Sequence, residues 1–263
     1  RAFSAAVCAL AAFDLATFSY GYMGFAAPRE VYPASPVFDF LKTQSDPSRS
    51  RIAQLGTPYP SNIPLLYGLT SADGYDVCLF RPRFFSSLLS ESRLDGLEFK
   101  QDSVMTFKDR RLDLMNVKYI VHSPHAGGFN QLKNQERFAL IYETPEMAVF
   151  ENKSVLPRAF TVPADGIEVL PDVNTQLERL KDAAFNPELS VIVSRQPGAP
   201  DSQSAAAAAT GKPEIVSSGI NEGAVHSTVS KPSILVLSQT YYPGWKAFVD
   251  GKDAEVFDAD LLL

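Results

Sequence analysis

Cysteine is scarce, at two in 263 residues, and the two sit in unlike settings: Cys8 lies inside an apolar run and Cys78 in a mixed segment beside Phe80. No disulfide is expected between them, and low cysteine content leaves the compartment open. Histidine is nearly as rare, with three residues, of which only His122 and His125 stand close together. No third ligand lies near them and Pro124 forbids a helix that would align them, so they read as solvated loop histidines rather than a metal site. Basic blocks are missing too. Lys and Arg total 24 against 30 Asp and Glu, a net charge of −6, and no cationic run exceeds the step Asp109-Arg110-Arg111. That excludes the electrostatic footprint of a nucleic-acid binder. A Gly-rich phosphate loop, a nucleophile elbow, a zinc motif and a dinucleotide fingerprint are all absent. The chain by itself carries no catalytic constellation, and no cofactor or metal is expected.

What is present is apolar material: 45% hydrophobic residues and 11% aromatics, enough for packed cores in one large or two modest domains. From Ala2 to Ala27 the only charged side chain is Asp14. A helix of that length, at ~1.5 Å per residue, would cross a ~30 Å hydrocarbon layer. Three readings compete: the exit end of a transmembrane helix whose upstream turns are missing, a signal-peptide core, and a buried soluble helix. A signal peptide is disfavoured because Asp14 follows the apolar run where small residues should precede cleavage. In the membrane reading Asp14, Tyr20 and Tyr22 lie near the headgroups, and the chain leaves the bilayer around Phe25 to Arg29. Residues 1–27 are therefore assigned to a membrane-helix remnant or anchor.

Pro28, Pro33 and Pro36 make Ala27 to Pro36 an extended connector. Ser35 to Lys42 follows as a short helix, with Ser35 as N-cap and Phe38 and Leu41 on its apolar side. A strand is expected from Arg51 to Gly56, a turn-rich loop from Asn62 to Tyr75, and a helix from Arg81 to Leu89 with Phe84, Phe85, Leu88 and Leu89 on one face. Leu112 to Val121 and two strands around Thr144-Pro145 within Phe138 to Phe150 should form a hairpin plus neighbour in one sheet. Phe160 to Val162 and Val191 to Ser194 add strands, separated by a helix from Thr175 to Ala184 that turns Leu177, Leu180 and Ala184 inward. Residues 28–197 thus read as an α+β domain with a mixed or antiparallel sheet and flanking helices. Gly198 to Lys212 has nothing large to bury and reads as a linker.

Beyond the linker, 213–263 is expected to form a small antiparallel β-sandwich from Glu214 to Ser218, Ala224 to Val229, Ser233 to Thr240 and a hairpin turning at Asp250-Gly251, where both positions accept positive φ. The turn sets Val249 opposite Lys252, Ala247 opposite Ala254, Lys246 opposite Glu255 and Trp245 opposite Val256. One face then carries the Lys246/Glu255 pair, and the other buries Trp245 with Ala247, Ala254 and Val256. Asp260 to Leu263 stops on an apolar run, so the sandwich is expected to be truncated.

Three stretches together resemble the YfhO family of bacterial multi-pass membrane proteins, grouped with the GT-C type glycosyltransferases. They are Leu114 to Val121, Val149 to Asn152 running into Leu156 to Phe160, and Leu237 to Ala247 with Asp250 to Lys252. The resemblance implies a helical membrane body that handles a polyprenyl-phosphate sugar, with this region on the outer face of the bacterial cytoplasmic membrane and the catalytic acid elsewhere. Implied partners are the protein's own membrane segments, a glycan or lipid-linked sugar, and other membrane-complex subunits; a non-catalytic accessory subunit is the competing reading.

Five residues have side chains suited to a ligand. Asp73, Tyr75 and Asp76 can hold a sugar or cation, since carboxylates accept hydroxyl hydrogens and a Tyr face stacks on a pyranose; an Asx-type turn is the plainer reading. Arg81 and Arg83 match lipid phosphate oxygens, though ordinary ion pairing is the plainer reading. Asn116, Tyr119, Arg158, Trp245, Asp250 and Gly251 are expected to be structural, with Arg158 locking the sheet to a carboxylate of the first domain.

Overall fold

The computed structural model describes residues 2–22, 34–46, 49–57, 59, 62–72, 110–198, 211–219, 221–241, 243–261 and 263. The chain divides into two compact units, residues 1–36 and 37–263. The first contains α1 (Ala2–Tyr22), apolar on all sides, with Phe3, Leu10, Phe13, Phe18 and Tyr20 all exposed. Ala2–Tyr20 is long and apolar enough to cross a membrane by length and composition. Thr17 returns its hydroxyl to the Phe13 and Asp14 carbonyls, which satisfies a polar side chain without water.

The second unit is α+β. In chain order it holds α2 (Pro36–Gln44), β1 (Arg51–Leu55), α3 (Ile63–Leu66), α4 (Arg111–Leu114), β2 (Val117–His122), α5 (Phe129–Lys133), β3 (Phe138–Glu143), β4 (Ala148–Asn152) and β5 (Ala159–Pro163). There follow β6 (Ile167–Val169), α6 (Val173–Lys181), β7 (Val191–Val193), β8 (Glu214–Ser218), β9 (Gly223–His226), β10 (Ser233–Leu237), β11 (Ala247–Val249) and β12 (Lys252–Ala254).

The central sheet has order β1-β2-β4-β3, with β1 parallel to β2 and the other pairs antiparallel. The expected hairpin plus neighbour is β3-β4-β2, and β1 extends it. Period-two alternation sends Ala53, Leu55, Ile120, Ala148 and Phe150 to one face, where α4 and α5 cover them with Leu112, Phe129 and Leu132. Ile52, Tyr119, Val121, Met147 and Val149 face the other way, under Val37, Phe38 and Leu41 of α2. Burial on both faces explains why β2 and β4 read as nearly continuous apolar runs rather than alternating ones.

Leu112 to Leu114, expected as strand, is instead a helical turn. Asn116 takes φ 58° directly after it and redirects the chain into β2, a left-handed state that Asn tolerates better than most residues. Helix α6 also ends earlier than expected. Asp172 caps its start by accepting from the Thr175 N–H at 2.8 Å, and the Asp182 carboxylate accepts from the Ala184 N–H at 2.9 Å, turning the backbone out of the helix. Ala184 is therefore exposed, and Phe185 takes the third core position beside Leu177 and Leu180.

A third core gathers Phe160, Val162, Leu177, Leu180, Phe185, Val191 to Val193, Val236, Ala259, Leu261 and Leu263. Strand β10 pairs antiparallel with β5, Val236 opposite Phe160, while β8-β9 and β11-β12 are separate two-stranded antiparallel pairs. The C-terminal segment thus adds to a core begun before residue 198. Asp260 anchors this closure. Its N–H donates to the Ile192 carbonyl at 2.8 Å and its Oδ1 accepts from the Ile192 N–H at 2.9 Å, while Oδ2 has no protein hydrogen-bond partner among the described residues. Complete burial pushes its carboxyl up to about 7, against the Ile192 hydrogen bond and with help from the nearby Glu168 charge.

Candidate functional site

The hairpin β11-β12 turns at Asp250 and Gly251, at φ 51° and 79°, the double left-handed turn the Asp-Gly pair dictates. Its register is the expected one, with Val249 opposite Lys252 and Ala247 opposite Ala254. The face with Trp245, Ala247, Ala254 and Val256 is real, but it is not buried. Those four residues, with Tyr241, Lys246 and Asp253, line an open groove of about 360 Å³. Trp245 is 38% exposed, and Phe248 and Val249 near the tip are more exposed still. The cause is short strands: three residues each, with no further strand paired to them to cover the apolar side among the described residues. The expected Lys246/Glu255 pair gives way as well, because Glu255 bonds Arg195 instead.

Before the hairpin, Gly244 takes φ 116°, a state that side chains rarely adopt, at the turn between Tyr241 and Trp245. The groove wall combines two aromatic residues, Tyr241 and Trp245, with the Asp253 carboxylate and the Lys246 ammonium. A ring face packs on the apolar face of a ligand ring, while Asp253 accepts hydroxyl hydrogens and Lys246 donates to hydroxyl oxygens. That combination suits a neutral, hydroxyl-rich ligand.

Asp113 organises a buried polar cluster. Its fully buried carboxylate accepts from Arg137 Nη1 at 3.1 Å, from Asn152 Nδ2 at 2.6 Å and from Arg110 Nε, and its carbonyl accepts from the Asn116 and Leu156 N–H groups. Asn152 Nδ2 reaches the Val117 carbonyl at 3.0 Å and Asn116 Nδ2 the Leu156 carbonyl at 2.7 Å. These bonds tie α4, the start of β2 and the end of β4 together, a structural task. Tyr119 is buried and donates its hydroxyl to the Gln44 carbonyl at 3.1 Å, joining β2 to α2.

Arg158 meets no carboxylate among the described residues, contrary to expectation. Its Nη2 donates at 3.0 Å to Gln239 Oε1, the acceptor that Arg51 Nη2 also reaches at 3.3 Å. Arg51 Nη1 donates to the Met115 carbonyl at 3.1 Å and to Ser238 Oγ at 2.9 Å, and Ser238 Oγ donates to the Leu114 carbonyl at 2.8 Å. Burial, then the Arg158 charge, pull the Arg51 guanidinium down to about 10, so it stays charged at neutral pH. Nothing in the sequence near Arg51 signalled this meeting, because its partners lie far along the chain; a charged residue heading a largely buried strand was the one available hint.

His122 also departs from expectation. It is the last residue of β2, buried, with Nδ1 2.8 Å from the Ser123 carbonyl and its ring against Phe129. Burial lowers its pKa, so it is neutral, whereas His125 is exposed. Among the described residues no three His, Cys, Asp or Glu side chains converge on a metal position. Asp73, Tyr75, Asp76, Arg81 and Arg83 lie outside the described residues, as do Cys78 and the helix expected from Arg81 to Leu89. No protein-family model, curated protein or solved structure matches the chain.

Proposed function

We propose that this chain is the extracytoplasmic region of a membrane glycosyltransferase-like protein of the YfhO type, and that it holds a cell-envelope glycan rather than performing the transfer. The observation that carries the reading is the exposed Trp245 groove, where Tyr241, Lys246 and Asp253 add the polar and aromatic groups a saccharide uses. The apolar helix α1 supports membrane attachment, and the sequence resemblance supplies the outward side and the lipid-linked sugar. A non-catalytic accessory subunit of a membrane complex is the second reading, favoured by α1 because one anchor is all such a subunit needs. Reading the gene upstream of Arg1 separates them: a series of hydrophobic segments with an acidic loop favours the transferase.

The binding claim is tested by glycan-array screening of the full chain in nonionic detergent, followed by calorimetric titration of the best saccharide. Trp245→Ala is expected to weaken binding by about tenfold, equivalent to about 1.4 kcal/mol, while its melting temperature stays close to wild type because the side chain is not in a core. Asp73→Ala, run in parallel, addresses the loop singled out from sequence. Absence of saturable saccharide binding, or binding indifferent to Trp245→Ala, refutes the groove as the site.

A further inference from the structure

Most of the arginines of the second unit that make described contacts find an anion: Arg49 meets Asp46, Arg110 and Arg137 share Asp113, Arg179 grips Glu168, and Arg195 meets Glu255. Arg51 and Arg158 meet no carboxylate among the described residues. Both point at one neutral oxygen, Gln239 Oε1, which brings their Nη2 atoms within about 6 Å of each other. Arg51 is aimed by the Met115 carbonyl and by Ser238, itself fixed on Leu114, so this cation cannot turn away without breaking buried bonds. Burial acts against the charge on both guanidiniums. Two partly desolvated like charges held together around a neutral acceptor are an arrangement that an anion would relieve.

The access route is equally specific. Gln239 is exposed, as are its bonds to both arginines, so its side chain can swing into water and vacate the position it holds. Each guanidinium carries five N–H donors, and Gln239 takes one from each. A tetrahedral oxyanion offers several acceptor oxygens and up to two charges, and matches two guanidinium forks better than a single amide oxygen does. A carbohydrate hydroxyl has no charge to offer, so this position and the Trp245 groove call for different chemistry.

We infer that Arg51 and Arg158 form a binding site for a phosphate-type oxyanion, with the Gln239 amide oxygen as its placeholder in the empty state. The inference stands apart from the saccharide reading, since it uses none of the groove residues. The phosphate has two possible sources, a free ion or the monoester of a larger molecule.

The full chain in nonionic detergent at low ionic strength is titrated calorimetrically with inorganic phosphate and, separately, with glycerol 3-phosphate. Saturable binding is expected, weakened at least about tenfold by Arg158→Gln, intermediate in Arg158→Lys, which keeps the charge without the fork, and unchanged by Lys252→Gln at the start of β12, an exposed cation that makes no bond to Gln239. Tighter binding of glycerol 3-phosphate assigns the site to a monoester, and equal or tighter binding of inorganic phosphate assigns it to the free ion. Gln239→Glu supplies an internal carboxylate, so it should abolish phosphate binding and raise the melting temperature together. A folded protein with no saturable response to either probe, equal losses in Arg158→Gln and Lys252→Gln, or a Gln239→Glu variant that melts lower, overturns the inference.

Discussion

Asp260 makes the stability of the third core depend on pH in a calculable way. Its carboxyl is raised from 3.8 to about 7 by burial. An acid raised on folding binds more protons in the folded chain than in the unfolded one, so its contribution is fully present below pH 3.8 and is lost as pH rises through 7. Between pH 5 and pH 8 the loss from this one group integrates to about 3 kcal/mol. Asn at the same position keeps an oxygen for the Ile192 N–H, places an amide where the unpartnered Oδ2 stood, and cannot ionise. Urea denaturation of wild type and Asp260→Asn across that range should therefore show the variant gaining by about 3 kcal/mol relative to wild type as pH rises. Taking the difference between the two proteins removes the other titrating groups, including His122, whose lowered pKa works in the opposite direction and costs stability as pH falls. Parallel pH profiles would refute the reasoning, because they would mean that the Asp260 carboxylate is solvated or paired.

Two further perturbations address the central sheet. Asp113→Ala removes the buried carboxylate that Arg110, Arg137 and Asn152 share, and a loss of about 3 kcal/mol in chemical denaturation is expected; Asp113→Asn should lose less, since it keeps an acceptor for Asn152. Gly56→Ala places a Cβ 2.8 Å from that of Ala126 and 3.1 Å from His122 Cε1, at φ +60°. It should cost at least about 1 kcal/mol and shift the His122 ring resonances in an NMR spectrum.

The central sheet was legible because composition and punctuation agree there: short apolar runs, a Thr-Pro break between β3 and β4, and a β-branched run ending in Ile120 and Val121. Helix α2 was equally readable from Pro36 and the Phe38/Leu41 spacing. The Asp250-Gly251 turn fixed its register on its own, since only a few residue pairs accept two positive φ values. What failed was everything decided at long range. Local pattern places Trp245 on an apolar face but cannot say whether another layer exists to cover it. The β5-β10 pairing, the Glu255 contact with Arg195 and the Gln239 contact with Arg158 all join segments that the sequence separates by some sixty residues or more. His122 was misread because the adjacent Ser-Pro step signals a loop, whereas the residue itself is the last of a buried strand.

The β5-β10 pairing bears on the order in which the chain can assemble. Strands β2, β3 and β4 are near neighbours in sequence and can associate soon after they are made, while Phe160 must wait for Val236 and Val191 to Val193 for Ala259 to Leu263. Until synthesis passes those residues, the core that Phe160, Leu177, Leu180 and Phe185 join lacks Val236, Ala259, Leu261 and Leu263. A nascent chain released early would therefore carry a sticky apolar surface beside a sheet already formed, the kind of intermediate that chaperones retain.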